Sequence, residues 1–132
     1  MIEPWQRQII LEVATEYGVD PDLLAALRLT ENGRKGREFG VLHPGAMIGD
    51  DPQVTPAASF RTQAQWAAGT ISKNAQRYQK AYEKPAFRYT EDFVRFFSER
   101  YAPVGAGNDP TNLNAHHTRN LLEHYAREMG SA

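Results

Sequence analysis

The stretch Leu23-Leu24-Ala25-Ala26-Leu27-Arg28-Leu29-Thr30-Glu31 decides how this chain is read. It is an apolar helical run that closes on a carboxylate and gives way at once to a glycine-bearing turn, Asn32-Gly33-Arg34-Lys35-Gly36-Arg37-Glu38-Phe39-Gly40-Val41-Leu42. Asp20 as N-cap and Pro21 at the first helical position start the run. A carboxyl at a packed helix end, beside a loop, is well placed to hold a proton and deliver it to a leaving oxygen. The plainer reading is a solvated glutamate, or one paired with Arg28, Arg34 or Lys35.

Outward from this run the pattern stays helical. Ile9, Ile10, Val13, Ala14 and Tyr17 recur at spacings of three and four and predict a first helix ended by Gly18. With the Pro21 helix it is expected to form an antiparallel corner. Residues 32 to 58 hold five glycines, three prolines and the acidic pair Asp50-Asp51, and read as irregular chain or a short hairpin. From Ser59 the helical period returns in Phe60, Ala64, Ala67, Ile71, Ala75, Tyr78 and Tyr82. That is a long amphipathic helix with a small-residue face, suited to the centre of a helical domain, and Lys84-Pro85 ends it. Thr90 with Glu91 and Asp92 opens another helix. A last one, from about Asn114, carries Leu121, Leu122, Tyr125 and Met129. The expected fold class is all-α, in one domain over residues 1–132. Trp66, Phe93, Phe96 and Phe97 sit at helical spacing and read as core rather than as sugar-stacking platforms.

Composition narrows the function. A chain of 132 residues, 41% hydrophobic and 23% charged, can bury a real core. A net charge of -1 argues against a nucleic-acid partner. The absence of cysteine removes disulfides, thiolate metal sites and cysteine nucleophiles. His116 and His117 are adjacent, so on a helix they point about 100 degrees apart. With His124 they make no convergent ligand set, and neither metal nor cofactor is expected. His43, in the stretch after Gly40, reads as an exposed loop histidine. Ser59, Ser72 and Ser98 lack the setting of a catalytic nucleophile. Glu3-Pro4-Trp5-Gln6-Arg7 before Ile9-Ile10-Leu11 is no signal sequence, and no run approaches the roughly 18 apolar residues of a membrane helix.

Three stretches carry a family resemblance: Tyr17-Gly18-Val19-Asp20-Pro21-Asp22-Leu23-Leu24-Ala25-Ala26, then Glu31-Asn32-Gly33, then Phe39-Gly40-Val41-Leu42. Together they resemble the opening of a lysozyme-like lytic transglycosylase domain. Arg100-Tyr101-Ala102-Pro103, Asn108-Asp109-Pro110 and Leu113-Asn114 resemble the distal part of phage-encoded wall-degrading members. The resemblance touches about half the chain. Two positions depart from the family pattern: Asn32 stands where serine is usual, and Val41-Leu42-His43 follows Gly40 without the usual glutamine. The catalytic carry-over therefore rests on Glu31 alone.

The resemblance implies a mainly helical lysozyme-like fold, with the segment at about 32–58 as a cleft loop or short hairpin. It implies cleavage of peptidoglycan between N-acetylmuramic acid and N-acetylglucosamine, with Glu31 as general acid and then base and a 1,6-anhydromuramyl end as product. Phe39, Gly40, Val41, Leu42, Tyr101, Asn108, Asp109 and Asn114 would surround the saccharide. The partners implied are a peptidoglycan glycan strand and other virion proteins, with delivery to the wall by a phage particle or lysis system and no membrane insertion by this chain. A hydrolase, either a muramidase or a glucosaminidase, would need a second acid, for which Asp50 and Asp51 are the candidates. A helical virion protein that only binds wall or neighbouring subunits is the non-enzyme alternative.

Overall fold

The computed structural model describes residues 1–33, 36–40, 54–83, 87–101 and 116–130. Among these the secondary structure is helical: α1 (Pro4–Tyr17), α2 (Pro21–Glu31), α3 (Pro56–Ala81), α4 (Glu91–Tyr101) and α5 (His117–Gly130). The hairpin alternative for residues 32 to 58 falls largely outside the described residues. At the end of that stretch α3 begins three residues earlier than the periodicity suggests, because the Thr55 side chain caps it through the Ala58 N–H at 3.1 Å and Pro56 occupies its first turn.

Each helix boundary has a local cause. Glu3 and Gln6 form a capping box at the start of α1, with Pro4 as first helical residue. At its end the N–H groups of Gly18 and Val19 close back on the Thr15 and Ala14 carbonyls. Asp20 caps α2 by accepting from the Asp22 N–H at 2.9 Å, as the Asp-Pro pair predicts. Thr90 caps α4 through the Phe93 N–H.

The helix buried around most of its circumference is α2. Leu23, Leu24, Ala25, Ala26 and Leu27 are all in the core, and α2 packs most extensively on α5 while also touching α1 and α3. The expectation that the long helix would be central is thereby corrected. α3 lies against α1 and α4 through Phe60, Ala64, Ala67, Ala68, Ile71 and Tyr78 and leaves its other face in solvent. Trp66 lies on that outer side at 47% exposure, so it is not a core residue. Phe93 and Phe97 are buried as expected, with Phe96 only partly so. Met129, placed on the apolar face of the last helix by its spacing, is exposed, whereas Leu121 and Tyr125 of that face are buried. Each fully buried leucine contributes about 1.5–3 kcal/mol relative to leaving it in water. The three fully buried leucines of α2, Leu23, Leu24 and Leu27, thus make this short helix an anchor for the carboxylate at its end.

Candidate functional site

Glu31 is the last residue of α2, and its side chain keeps 20% of its surface exposed. Directly after it the chain turns: Asn32 takes a left-handed conformation at φ 45°, and its N–H returns to the Arg28 carbonyl at 2.9 Å. Asparagine tolerates that conformation better than most side chains. At Gly33 a Cβ would stand 1.7 Å from the Arg37 carbonyl oxygen, so the backbone of the returning segment passes where only glycine fits. Within that segment the Gly36 N–H is held by the buried Glu38 carboxylate at 3.1 Å, and the Gly40 N–H by the Arg37 carbonyl at 3.0 Å.

The turn delivers Gly40 to Glu31. Gly40 sits at φ 71°, and a Cβ built there would come within 2.5 Å of Glu31 Oε2. Phe39, beside it, is wholly buried, with its ring 5.3 Å from that of Phe60. What Phe39 can offer a cleft is therefore backbone. Its carbonyl oxygen accepts a hydrogen bond from the Tyr101 hydroxyl, which closes the end of α4 over the segment. Burial first, and then the charge of Glu31, push the Tyr101 phenol well above its ordinary range. Tyr101 is thus a neutral donor at any physiological pH.

The cations considered as partners for Glu31 do not include its partner in the fold. Arg28 lies one turn earlier and is buried; desolvation lowers its affinity for its proton, and the nearby Glu38 charge opposes that shift. Arg34 and Lys35 lie outside the described residues. Instead, His117 from the start of α5 meets Glu31, with Nε2 2.8 Å from Oε1. The other ring nitrogen of His117, Nδ1, lies 2.6 Å from Ser98 Oγ on α4. Thr118 donates its hydroxyl hydrogen to the same Ser98 oxygen at 2.8 Å. The Tyr101 ring lies nearly parallel to the imidazole, 6.0 Å away and inclined by 20°. Glu31, His117, Ser98 and Thr118 therefore form one hydrogen-bonded line across α2, α5 and α4.

Of the expected site residues, the fold brings Glu31, Phe39, Gly40 and Tyr101 together. Asp50, Asp51, Val41, Leu42, Asn108, Asp109 and Asn114 lie outside the described residues. His117 and Ser98 were set aside in the sequence, one as an unpromising metal ligand and the other as a serine without a nucleophile's setting. A signal for them was present. His117, Leu121 and Tyr125 recur every four residues, which places His117 on the buried face of its helix, and Ser98 stands four residues after Val94 on the buried face of α4. Ser98 is fully buried, so it serves as a hydrogen-bonding group and not as a nucleophile open to substrate.

Among the described residues no three His, Cys, Asp or Glu side chains gather as a metal site, and no helix is long and apolar enough to cross a membrane. Comparison with known proteins yields no match to a protein-family model, to a curated protein or to a solved structure.

Proposed function

We propose that this chain cleaves the glycan strands of peptidoglycan as a lytic transglycosylase of lysozyme-like type, carried by a phage particle or lysis system, with Glu31 as its general acid and base. The observation that carries this reading is the meeting of Glu31 with Gly40 and, through Phe39, with Tyr101. Tyr101 lies 62 positions from Phe39 in sequence, all four residues belong to the separate stretches that resemble that family, and they converge on one partly exposed carboxyl.

In the proposed reaction the Glu31 carboxyl gives its proton to the oxygen between N-acetylmuramic acid and N-acetylglucosamine as the C1–O bond breaks. The muramyl N-acetyl oxygen bonds to C1 as that bond leaves. The Glu31 carboxylate then removes the proton from the muramyl 6-hydroxyl, whose oxygen displaces the N-acetyl oxygen at C1. Glu31 ends protonated, as it began, and no water is consumed. One acid performs both transfers, which suits a carboxyl whose identified partner is an imidazole and not a second carboxylate.

The deciding experiment digests purified peptidoglycan with the wild type and with Glu31→Gln, and reads the soluble fragments by mass spectrometry. Fragments one water lighter than hydrolysis products, formed by the wild type alone, are the expected result. Hydrated reducing ends would identify a hydrolase and direct attention to Asp50 and Asp51. Glycan binding by both proteins without fragments would identify a binding protein.

A further inference from the structure

His117 has both ring nitrogens bonded and one ring face covered, by groups from α2 and α4. It is 8% exposed, so water does not substitute for these partners. The hydrogens along the line can be counted. With the pair at its lower proton count, Glu31 is a carboxylate and must receive a hydrogen from Nε2. Nδ1 is then an acceptor, and the Ser98 hydroxyl donates to it while accepting from Thr118. With one proton more, that proton can sit on Glu31 Oε2, away from the ring, which leaves Nε2–H donating to Oε1 and Nδ1 accepting from Ser98 as before. If it sat instead on Oε1, facing a bare Nε2, or on the imidazole, facing the carboxylate, Nδ1 would carry a hydrogen and Ser98 would have to accept from it and from Thr118 at once, its own hydrogen turned toward the carbonyl one turn back. Hydrogen on Nε2 is thus the arrangement in which the Ser98 hydroxyl donates to the ring and Oε2 is the oxygen that carries the extra proton.

We propose that His117 is the positioning residue for Glu31: its Nε2–H holds Oε1 and leaves Oε2 to carry the proton the reaction uses, while Ser98, oriented by Thr118, donates to Nδ1 and so favours hydrogen on Nε2. The inference deepens the proposed function and rests on it for its catalytic half. The Nε2–H bond keeps Glu31 Oε1 occupied and leaves Oε2, on the Gly40 side, to carry a proton toward a leaving oxygen. The other groups facing the pair among the described residues are the Tyr101 phenol on α4 and the backbone of Gly40, with Arg28 one turn back on α2 and Glu38 acting electrostatically on Arg28. Tyr101 holds its proton throughout, so the Tyr101 phenol neither supplies nor takes the proton of Glu31.

Two measurements test this, and the first needs no activity. Ring spectra of 15N-labelled protein should show neutral His117 with its hydrogen on Nε2 and Nδ1 bare. Ser98→Ala should raise the share of the Nδ1–H tautomer several-fold. A neutral ring with its hydrogen on Nδ1, or a tautomer indifferent to Ser98→Ala, would overturn the assignment.

The second measurement is the rate of fragment release from peptidoglycan, split into kcat and KM. His117→Gln keeps an N–H near the place of Nε2 and should retain much of kcat. His117→Leu should lose roughly 10²-fold in kcat through misplacement of Glu31, with KM little changed. Equal losses in the two variants would reduce His117 to a packing residue. A wild type that releases no fragments would overturn the proposed function and the catalytic half with it, while the ring spectra still decide which nitrogen of His117 carries hydrogen.

Discussion

Gly40 and Glu31 are fitted to each other: the space a Cβ would fill at Gly40 is taken by the Glu31 carboxylate, 2.5 Å from where that atom would stand. The conflict is with the movable end of a side chain, so Gly40→Ala is expected to fold with Glu31 pushed aside. The left-handed backbone at φ 71° adds a cost of about 1–2 kcal/mol for any residue with a side chain. Urea denaturation should register that modest loss. If Glu31 is the acid, fragment release should fall far more than stability does, and a fully active Gly40→Ala would argue that the approach of this backbone is incidental.

Tyr101→Phe removes the hydroxyl that holds the Phe39 carbonyl but keeps the ring packed on Phe97 and His117. The expected stability loss is about 1–2 kcal/mol, the usual consequence of leaving a sheltered acceptor without its donor. Because Tyr101 bonds backbone next to Gly40 and not Glu31 itself, catalysis should be reduced without being abolished. A Tyr101→Phe protein as inactive as Glu31→Gln would instead mean that the hydroxyl works on substrate directly.

Much of the helical frame was legible because capping and periodicity are local. Asp20-Pro21, Gly18 and Thr90 mark boundaries that the fold uses. Exposure was harder to read. Trp66 and Met129 have the composition and spacing of core residues, but spacing locates a face without showing whether a neighbour covers it, and nothing in the sequence says that α3 turns the Trp66 side outward. At the site, Glu31, Gly40 and Tyr101 were found from stretches of sequence. His117 and Ser98 were not, because their role arises only when α5 and α4 cross the end of α2, a contact between residues 86 and 19 positions apart that no local pattern encodes.

The small-residue face of α3 sets a size limit. Ala64, Ala67 and Ala68 are fully buried. Enlarging one, as in Ala67→Leu, should destabilise by about 1–3 kcal/mol, since a packed interior accommodates extra methylenes only by distortion. On the same helix Gln63 is fully buried, and neither atom of its amide has a hydrogen-bond partner among the described residues. Gln63→Met removes a desolvated amide at nearly constant length and should stabilise by about 1–2 kcal/mol. Thermal melts of the two variants should therefore shift in opposite directions; a destabilised Gln63→Met would reveal a partner for the amide.

Alkaline pH should act through α5. Tyr125 donates its hydroxyl to the Asp20 carboxylate that caps α2, and burial, with the Asp20 bond and charge, raises the phenol well above its ordinary value of 10.0. In the unfolded chain the same phenol ionises near that ordinary value. Above it the unfolded state loses a proton that the folded state keeps, so rising pH favours unfolding. The contribution of Tyr125 is therefore fully present below pH 10 and declines as pH climbs from there toward the folded value; Tyr101, raised by burial and by Glu31, acts in the same sense. Tyr125→Phe should be less stable than the wild type at pH 7 by about 1 kcal/mol, for loss of a hydrogen bond to a charged acceptor offset by relief of the phenol's desolvation. Its stability should also fall less steeply between pH 9.5 and about 11, where equilibrium denaturation at stepped pH can follow both proteins. Parallel stability curves for the two proteins across that window would show that Tyr125 ionises alike in the folded and unfolded chain, and that its bond to Asp20 does not tie α5 to the start of α2.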